Sequence, residues 1–435
     1  MEPWLTRAAH VHGDRTALRT PDGAETTYAQ LYARARAVAA ALHAQRVAPG
    51  DHVALALPSP ELVVALHACL LLGAVAVPID LRLTEAEQAL RTAHASVVLD
   101  ALPADADRGP DASGAGLVRG PRAIDPDATA TLMFTSGTTA GPKPVALSYD
   151  NWLWNALGSA LALGLDPAET WLCPMPLAHV GGLSIQIRSA VYGTTVLLHE
   201  RYDTERVLGA LMDPGARVTL VSLVPTMLAR LLDAGLQAPP TLRRVLLGGG
   251  PIAPALLARA HAARVHVSPS YGMTEACSQI ATDGVPLLGT ELEIAPDGEI
   301  LVRGRTVAAG ALGADGWLHT GDLGAFAENG RLVIAGRKAD TIVTGGENVA
   351  PIEVESVLLE HPAVVDAAVF GRADPEWGEA VVAQVVLTDG CGVEPEALRE
   401  HCAARLAPFK VPKHFEPVGG LPRGVTGKLL RRELR

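Results

Sequence analysis

Lysine is scarce in this 435-residue chain: Lys143, Lys338, Lys410, Lys413 and Lys428 are the whole supply, and arginine provides the rest of the 36 basic residues. Against 47 acidic residues they leave a net charge of -11, so no cationic surplus exists to lie along phosphates and a sequence-independent nucleic-acid binder is excluded. The five cysteines (Cys69, Cys173, Cys277, Cys391 and Cys402) are odd in number and scattered. Without a CxxC pair they exclude a zinc ribbon or a dithiol redox centre and fit a reducing cytoplasm. The opening MEPWLTRAAHVHGDRT lacks the basic-then-apolar plan of an export signal, so the expected location is cytoplasmic. A membrane span is not expected either. The longest apolar run, Leu62 to Val77, is marginally short, holds His67 and Gly73 and meets Pro78. It reads as a buried helix, capped by Ser59 and Pro60, that runs into a core strand. No repeat or low-complexity tract is evident.

What is present is a globular composition, 49% hydrophobic and 19% charged, with enough length for two or three domains. Helical patterns alternate with short β-branched runs. A helix over Tyr28 to Gln45 precedes a strand over His52 to Leu57, and the apolar helix precedes a strand over Ala74 to Ile79. The alternation resumes with strands at Val218 to Leu223 and Arg244 to Leu247 and helices at Thr226 to Leu232 and from Pro254. This is the signature of an α/β chain built on mainly parallel sheets flanked by helices. Residues 102–124, rich in Pro, Gly, Ala and Asp, read as a surface excursion. Past Ile334 the pattern changes to a polar turn, a Gly-Gly hairpin signal and a short helix from Pro351. The boundary is set near Arg337: residues 1–336 form the large N-terminal domain and 337–435 a small α+β domain.

The stretch TSGTTAGPKP, Thr135 to Pro144, follows the apolar run Ala130 to Phe134. It fails the GxxxxGK[ST] pattern, because Pro142 stands at the second glycine and Pro144 follows the lysine. What remains is a loop of hydroxyls and glycine-freed amides able to surround phosphates, or a plain Ser/Thr-rich turn between strands. In YGMTEACSQ, Tyr271 to Gln279, a hydroxyl and a carboxylate stand together at Thr274 and Glu275 after a strand expected at Val265 to Val267. They suit a phosphate oxygen and a magnesium ion, or a helix start with an acidic first turn. TGD, Thr320 to Asp322, offers a carboxylate for two ribose hydroxyls and is otherwise a turn. LPRGVTGKLLRREL carries Lys428 after a Gly-rich bend, its alternative being a solvated helix start. In the apolar segment GGLSIQIRSAVYG, Arg188 is a guanidinium that must be met by something, since an unpaired one is costly. A ligand carboxylate, a protein Asp or Glu, or solvent reached by snorkelling would serve.

In order and spacing, TSGTTAGPKP, GGGP (Gly248 to Pro251), YGMTE, TGD, GRKAD (Gly336 to Asp340), GGENVAP (Gly345 to Pro351) and PRGVTGK (Pro422 to Lys428) resemble one family. It is the acyl-adenylate-forming enzymes, which include acyl-CoA and aryl-CoA ligases, adenylation domains and luciferases. The resemblance spans nearly the whole chain. PLAHVGGLSIQIRSAVYG (Pro176 to Gly193), LLGGGP and YGMTEACSQ are most similar to the branch that makes o-succinylbenzoyl-CoA for menaquinone.

That resemblance implies ATP, Mg2+ and CoA as cofactors and co-substrates, a small aromatic carboxylate as substrate, and two half-reactions through an acyl-adenylate. It implies that Thr135, Ser136, Gly137, Thr138, Thr139 and Lys143 hold the pyrophosphate end, Thr274 the α-phosphate and Glu275 the metal. Asp322 and Arg337 would take the ribose, with Gly249, Gly250, Pro251 and Tyr271 flanking adenine. His179 would close the acyl pocket, and Ser278 and Gln279 would face the acid. Independently of the resemblance, the apolar setting of Arg188 leads to the expectation that it meets, directly or through water, the carboxylate of o-succinylbenzoate that is not activated. Lys428 would neutralise charge between the two reacting anions, since preorganised positive charge is what such a step needs. The small domain would turn about Ala339, bringing Gly345 and Gly346 to the pantetheine tunnel. Ala140 and Pro144 depart from the family's glycines in the phosphate loop, and Ala178 stands where an aromatic residue is common. Other aryl- or medium-chain acyl-CoA ligases, a stand-alone adenylation domain and a silent AMP-binding protein remain open, as does a homo-oligomer.

Overall fold

The computed structural model describes residues 1–104, 106, 123–135, 142–388, 392–423 and 429–434. Their strands form four sheets. The largest runs from Val285–Pro286 and Ser278–Thr282 at one edge, through Val267–Met273, Arg244–Leu247, Leu220–Leu223, Thr170–Cys173, Thr195–Leu198 and Thr16–Arg19, to Glu25–Thr27 at the other. Its middle is parallel and its edges antiparallel. A second sheet orders Val97–Leu99, His52–Leu55, Val75–Pro78, Thr129–Thr135 and Lys143–Ser148, parallel except for the last pairing. An antiparallel four-stranded sheet, Thr290–Ile294 to Leu332–Arg337, follows. The chain therefore has the expected α/β architecture, with the small C-terminal part built on a fourth sheet of Ile342–Thr344, Glu347–Val349, Val364–Asp374, Gly378–Leu387 and His414–Pro417. That sheet closes over its own core, including Val354, Leu358, Val369, Val381 and Leu398.

The apolar run is explained by position. Residues Leu62 to Leu72 are all buried in the helix Ser59–Leu72, which packs between the helix Tyr28–Ala44 and the strand Val75–Pro78. A helix apolar on every side belongs in such an interior. Among the described residues no helix is long and apolar enough to cross a membrane. One detail differs from the sequence reading: Pro58 takes the cap position and Ser59 is already helical, with no side-chain cap. Proline in the first turn supplies the start instead, because its missing N–H has no intrahelical partner to lose.

Two further corrections concern motif positions. The strand expected at Val265 to Val267 begins at Val267 and continues to Met273, so Tyr271 is a strand residue. TGD is no turn: Thr320, Gly321 and Asp322 lie inside the strand Leu318–Phe326. Cross-strand pairing with Leu332–Arg337 overrides the local turn propensity there. Residues 107–122 of the surface excursion lie outside the described residues, while Ala106 and Ile124 near its ends are buried.

Candidate active site

Parallel strands place their carboxyl ends along one edge, where an open α/β sheet binds ligands. Thr129–Thr135 ends at this edge and pairs antiparallel with Lys143–Ser148, the last matched residues being Thr135 and Lys143. The phosphate-loop motif thus begins and ends on paired strands. Ser136, Gly137, Thr138 and Thr139 lie outside the described residues, as does Lys428. Lys143 is exposed and has no carboxylate partner among the described residues. Pro144 falls on the outermost strand of its sheet, the place where a missing N–H is tolerated.

The ribose-type cluster is assembled from three strands. Asp322 is buried, and its Oδ1 stands 2.8 Å from Arg337 Nε while its Oδ2 accepts from Tyr271 Oη at 2.9 Å. Asp322 and Arg337 are direct cross-strand neighbours, which explains why residues fifteen apart in sequence meet. Burial, then the facing Asp322 charge, push the Tyr271 phenol well above its usual range, so it remains a donor. GGGP follows the strand Arg244–Leu247, which runs parallel to the strand bearing Tyr271, so both sequence-predicted adenine walls leave the same sheet edge.

Thr274 and Glu275 open a single 3-10 turn directly after Met273, packed against the two phosphate-loop strands. The Glu275 carboxylate has no ion-pair partner among the described residues. Its backbone carbonyl is held by Ala308 N at 2.8 Å, leaving the side chain half-buried and uncommitted. Beyond it Cys277 and Ser278 carry φ of 54° and 89°, values that L-residues adopt at a cost of about 1–2 kcal/mol each. Gln279 is buried, its Nε2 donating to Thr282 Oγ1 at 2.7 Å.

His179 and Arg188 both belong to the helix Val180–Tyr192. His179 sits at its cap position and makes no side-chain cap bond, so its imidazole is free for other use. The chain reaches this geometry through Gly182, where a Cβ would run into the Pro176 carbonyl oxygen. Gly182→Ala is therefore expected to lower stability by about 1–3 kcal/mol, measured as a denaturant midpoint shift. An unshifted midpoint would show that the loop relaxes freely.

Arg188 is 1% exposed, so it does not snorkel. Nor do the described residues place a carboxylate on it: Nε and Nη2 both donate to Asn155 Oδ1, at 3.2 and 2.5 Å, and the guanidinium lies 5.6 Å from the Trp171 ring centre. Asn155 in turn donates to the Gln279 carbonyl at 3.3 Å. The two protein-based alternatives for Arg188 are thereby overturned, and Arg188 and Gln279 are joined through one amide. Ser278, one residue before Gln279, begins the strand that packs against the helix bearing Arg188.

Ala339 lies in the 3-10 turn Lys338–Asp340. Lys338 Nζ binds Asp297 at 2.5 Å and Glu299 at 3.3 Å, in the preceding sheet, while Asp340 meets Arg431 at 3.2 Å in the C-terminal tail. Gly345 and Gly346, φ 60° and 85°, form the two-residue turn of the hairpin Ile342–Val349. Such a turn needs glycine-like φ at both positions, which bears out the Gly-Gly hairpin signal. A Cβ on Gly345 would also press on the Trp377 ring, whereas the space beside Gly346 is open.

One residue of the site escaped the sequence reading. Asp80, just past the strand Val75–Pro78, is buried with its Oδ2 3.5 Å from His179 Nε2. No motif marks it; its one signal is an acid placed directly after a fully buried strand.

The strands flanking the phosphate-loop motif, a buried carboxylate with two donors and an uncommitted glutamate come from three sheets and meet around the segment Tyr271 to Glu275, and that disposition defines a nucleotide-binding α/β enzyme. The family model described as AMP-binding enzyme matches residues 5–312, and that of the AMP-binding enzyme C-terminal domain matches 353–428. The chain belongs to the AMP-binding enzyme family. It is 39% identical to the 2-succinylbenzoate–CoA ligase of Bacillus licheniformis over 99% of this chain and 98% of that one. Three solved structures of o-succinylbenzoate CoA synthetase from Bacillus subtilis with bound ligands are 36% identical. The complex with the acyl-adenylate intermediate OSB-AMP superposes with a TM-score of 0.90, covering 100% of this chain and 98% of that chain. The complex with ATP and magnesium ion gives 0.87, covering 100% and 99%. A double mutant bound to the product analogue OSB-NCoA gives only 0.72, with coverage of 100% and 98%.

Proposed function

We propose that this chain is an ATP-dependent o-succinylbenzoate:CoA ligase. In the first half-reaction a carboxylate oxygen attacks the α-phosphorus of ATP, the bond to the leaving pyrophosphate breaks, and o-succinylbenzoyl-AMP forms. In the second, the CoA sulfur attacks the acyl carbonyl, AMP departs and the thiol proton is lost to solvent. The observation that carries the choice of acid is Arg188: a buried guanidinium met by a neutral amide and a ring face fits a substrate bearing a second carboxylate. Full-length similarity to ligases of this acid supports the same reading.

In this reading Asp322 accepts the ribose hydroxyls while Arg337 and Tyr271 hold its carboxylate in place. Tyr271, Gly249, Gly250 and Pro251 flank the base, and Thr135 to Thr139 with Lys143 receive the outer phosphates. Thr274 donates to the α-phosphate. Glu275, a hard oxygen donor with no competing cation among the described residues, would hold Mg2+, which supplies charge neutralisation on the phosphates. Lys428 stabilises the attacking oxygen and α-phosphate. Residues 1–336 and 337–435 are the two moving parts. The ion pairs on either side of Ala339 reach opposite parts of the chain, which supports that residue as the pivot. The drop in superposition from 0.90 to 0.72 at equal identity and coverage supports two domain arrangements, with this one nearer the adenylate-bound form.

The test is AMP release with ATP, Mg2+ and CoA across o-succinylbenzoate, benzoate and fatty acids, with the thioester identified by mass. Efficient turnover of benzoate or a fatty acid but not of o-succinylbenzoate would overturn the proposed substrate. Tyr271→Phe removes the donor to Asp322 without changing ring area. It is expected to raise the KM for ATP by roughly tenfold, given about 1.5 kcal/mol for a hydrogen bond to a charged group, and to leave the KM for the acid unchanged.

A further inference from the structure

The carboxylate of Asp80 is held in more ways than a surface loop needs. Oδ1 accepts from Arg82 N at 3.1 Å and Arg82 Nε at 2.8 Å, and Oδ2 accepts from Arg82 Nη2 at 2.6 Å. These bonds keep its pKa well below the ordinary carboxylate range although burial works the other way. Arg82 alone balances the charge, yet Oδ2 also faces His179 Nε2 at 3.5 Å, across ninety-nine residues of sequence and from a different sheet. At that separation the two groups are neighbours whose hydrogen bond needs only a small turn of the ring.

The topology gives this contact its meaning. Val75–Pro78 runs parallel to Thr129–Thr135, with Ala76 opposite Thr131, so the chain leaves both strands at the same end of the sheet, toward Asp80 in one and Thr135 in the other. His179 lies at the end of the acyl helix, its backbone fixed by Pro176 O at 3.2 Å and by its carbonyl accepting from Leu183 N at 2.9 Å. Only its side chain is left to be oriented. Asp80 is the carboxylate the described residues put beside it.

We propose that Asp80 is a positioning residue for His179, fixing the imidazole at the mouth of the acyl pocket and tying it to the strand end beside the phosphate loop. The Arg82 contacts hold Asp80 rigid, so that the ring is aimed from a fixed point. This rests on the reading of His179 as the residue that closes the acyl pocket.

The experiment is a double-mutant cycle on the full chain, with adenylate formation followed by pyrophosphate release. His179→Ala, Asp80→Ala, Asp80→Asn and the double variant His179→Ala/Asp80→Ala are compared, with thermal midpoints recorded for each. Asp80→Ala is expected to raise the KM for the acid roughly tenfold with a smaller change in kcat and none in the KM for ATP, within the range of coupling between residues in contact. Asp80→Asn, which keeps an oxygen toward the ring, is expected to recover most of that loss. In the His179→Ala background the Asp80 substitution should have no further effect on the KM for the acid. Additive losses in the double variant, or an Asp80→Ala effect confined to the thermal midpoint, would overturn the positioning role while leaving the His179 reading intact. A His179→Ala variant with unchanged kinetics for the acid would overturn that reading, and the proposal with it. If Asp80→Ala fails to fold, Asp80→Asn alone decides: a KM for the acid that shifts only when His179 is present supports the role, and one that shifts equally without it refutes it.

Discussion

Lys428→Ala will cut adenylate formation by about 10²–10³-fold, the effect expected when one preorganised donor to a developing charge is removed, and will leave thioester formation from synthetic acyl-AMP unchanged. The asymmetry follows from charge. Adenylation drives a carboxylate onto a phosphate, two anions that repel until a cation stands between them. Thiol attack on an acyl-adenylate has no such pair of reacting anions. Lys428 is outside the described residues, but the chain on both sides of its segment is anchored. Arg423 binds both oxygens of Asp366, at 2.9 and 2.7 Å, and bridges to Leu429. Arg431 reaches Glu355 at 2.8 Å and Asp340 at 3.2 Å, and Leu434 is buried against Phe370 and Val382. A tail tied to the fourth sheet on both sides travels with that sheet. On the proposed rotation, a moving small domain would deliver or withdraw the ammonium with it, which is the condition for the two half-reactions to depend on it unequally. Pre-steady-state pyrophosphate release and single-turnover thioester formation measure the two steps apart; equal losses in both would defeat this division.

The sequence made the nucleotide side of the site readable because each motif there is local. GGGP follows directly on the strand Arg244–Leu247, and YGMTE runs from the end of the strand Val267–Met273 into the turn that follows it. Asp322 with Arg337 was harder, since TGD looks like a turn. Only the register of the two strands puts these side chains opposite each other. Asp80 was illegible because its partner is ninety-nine residues away on another sheet, and neither composition nor spacing encodes that packing. The glycines at 345 and 346 were legible as a Gly-Gly hairpin signal, and the positive φ values of a two-residue turn bear that reading out.

Arg188→Met will raise the KM for o-succinylbenzoate by about 10²-fold or more, since truncating one partner of a buried charge pair costs roughly 2–5 kcal/mol. The same change should move the KM for a monoacid analogue lacking the second carboxylate far less. The buried setting is what makes the prediction large. Desolvation depresses the Arg188 pKa, and the neutral amide of Asn155 does not repay the charge that burial strands. A substrate carboxylate reaching this guanidinium, directly or through one water, would supply the missing anion and would be held more strongly than at a surface. Methionine keeps much of the arginine stem's volume and removes only the charged head, so the packing against Trp171 is largely preserved. Because the described residues place no carboxylate on this buried cation, Arg188→Met is also expected to hold or raise the denaturation midpoint of the ligand-free protein, and ligand-induced stabilisation by the diacid should shrink. A variant that loses affinity for diacid and monoacid alike would identify Arg188 as a structural support of the helix Val180–Tyr192. One that discriminates between them would assign the second carboxylate to this residue.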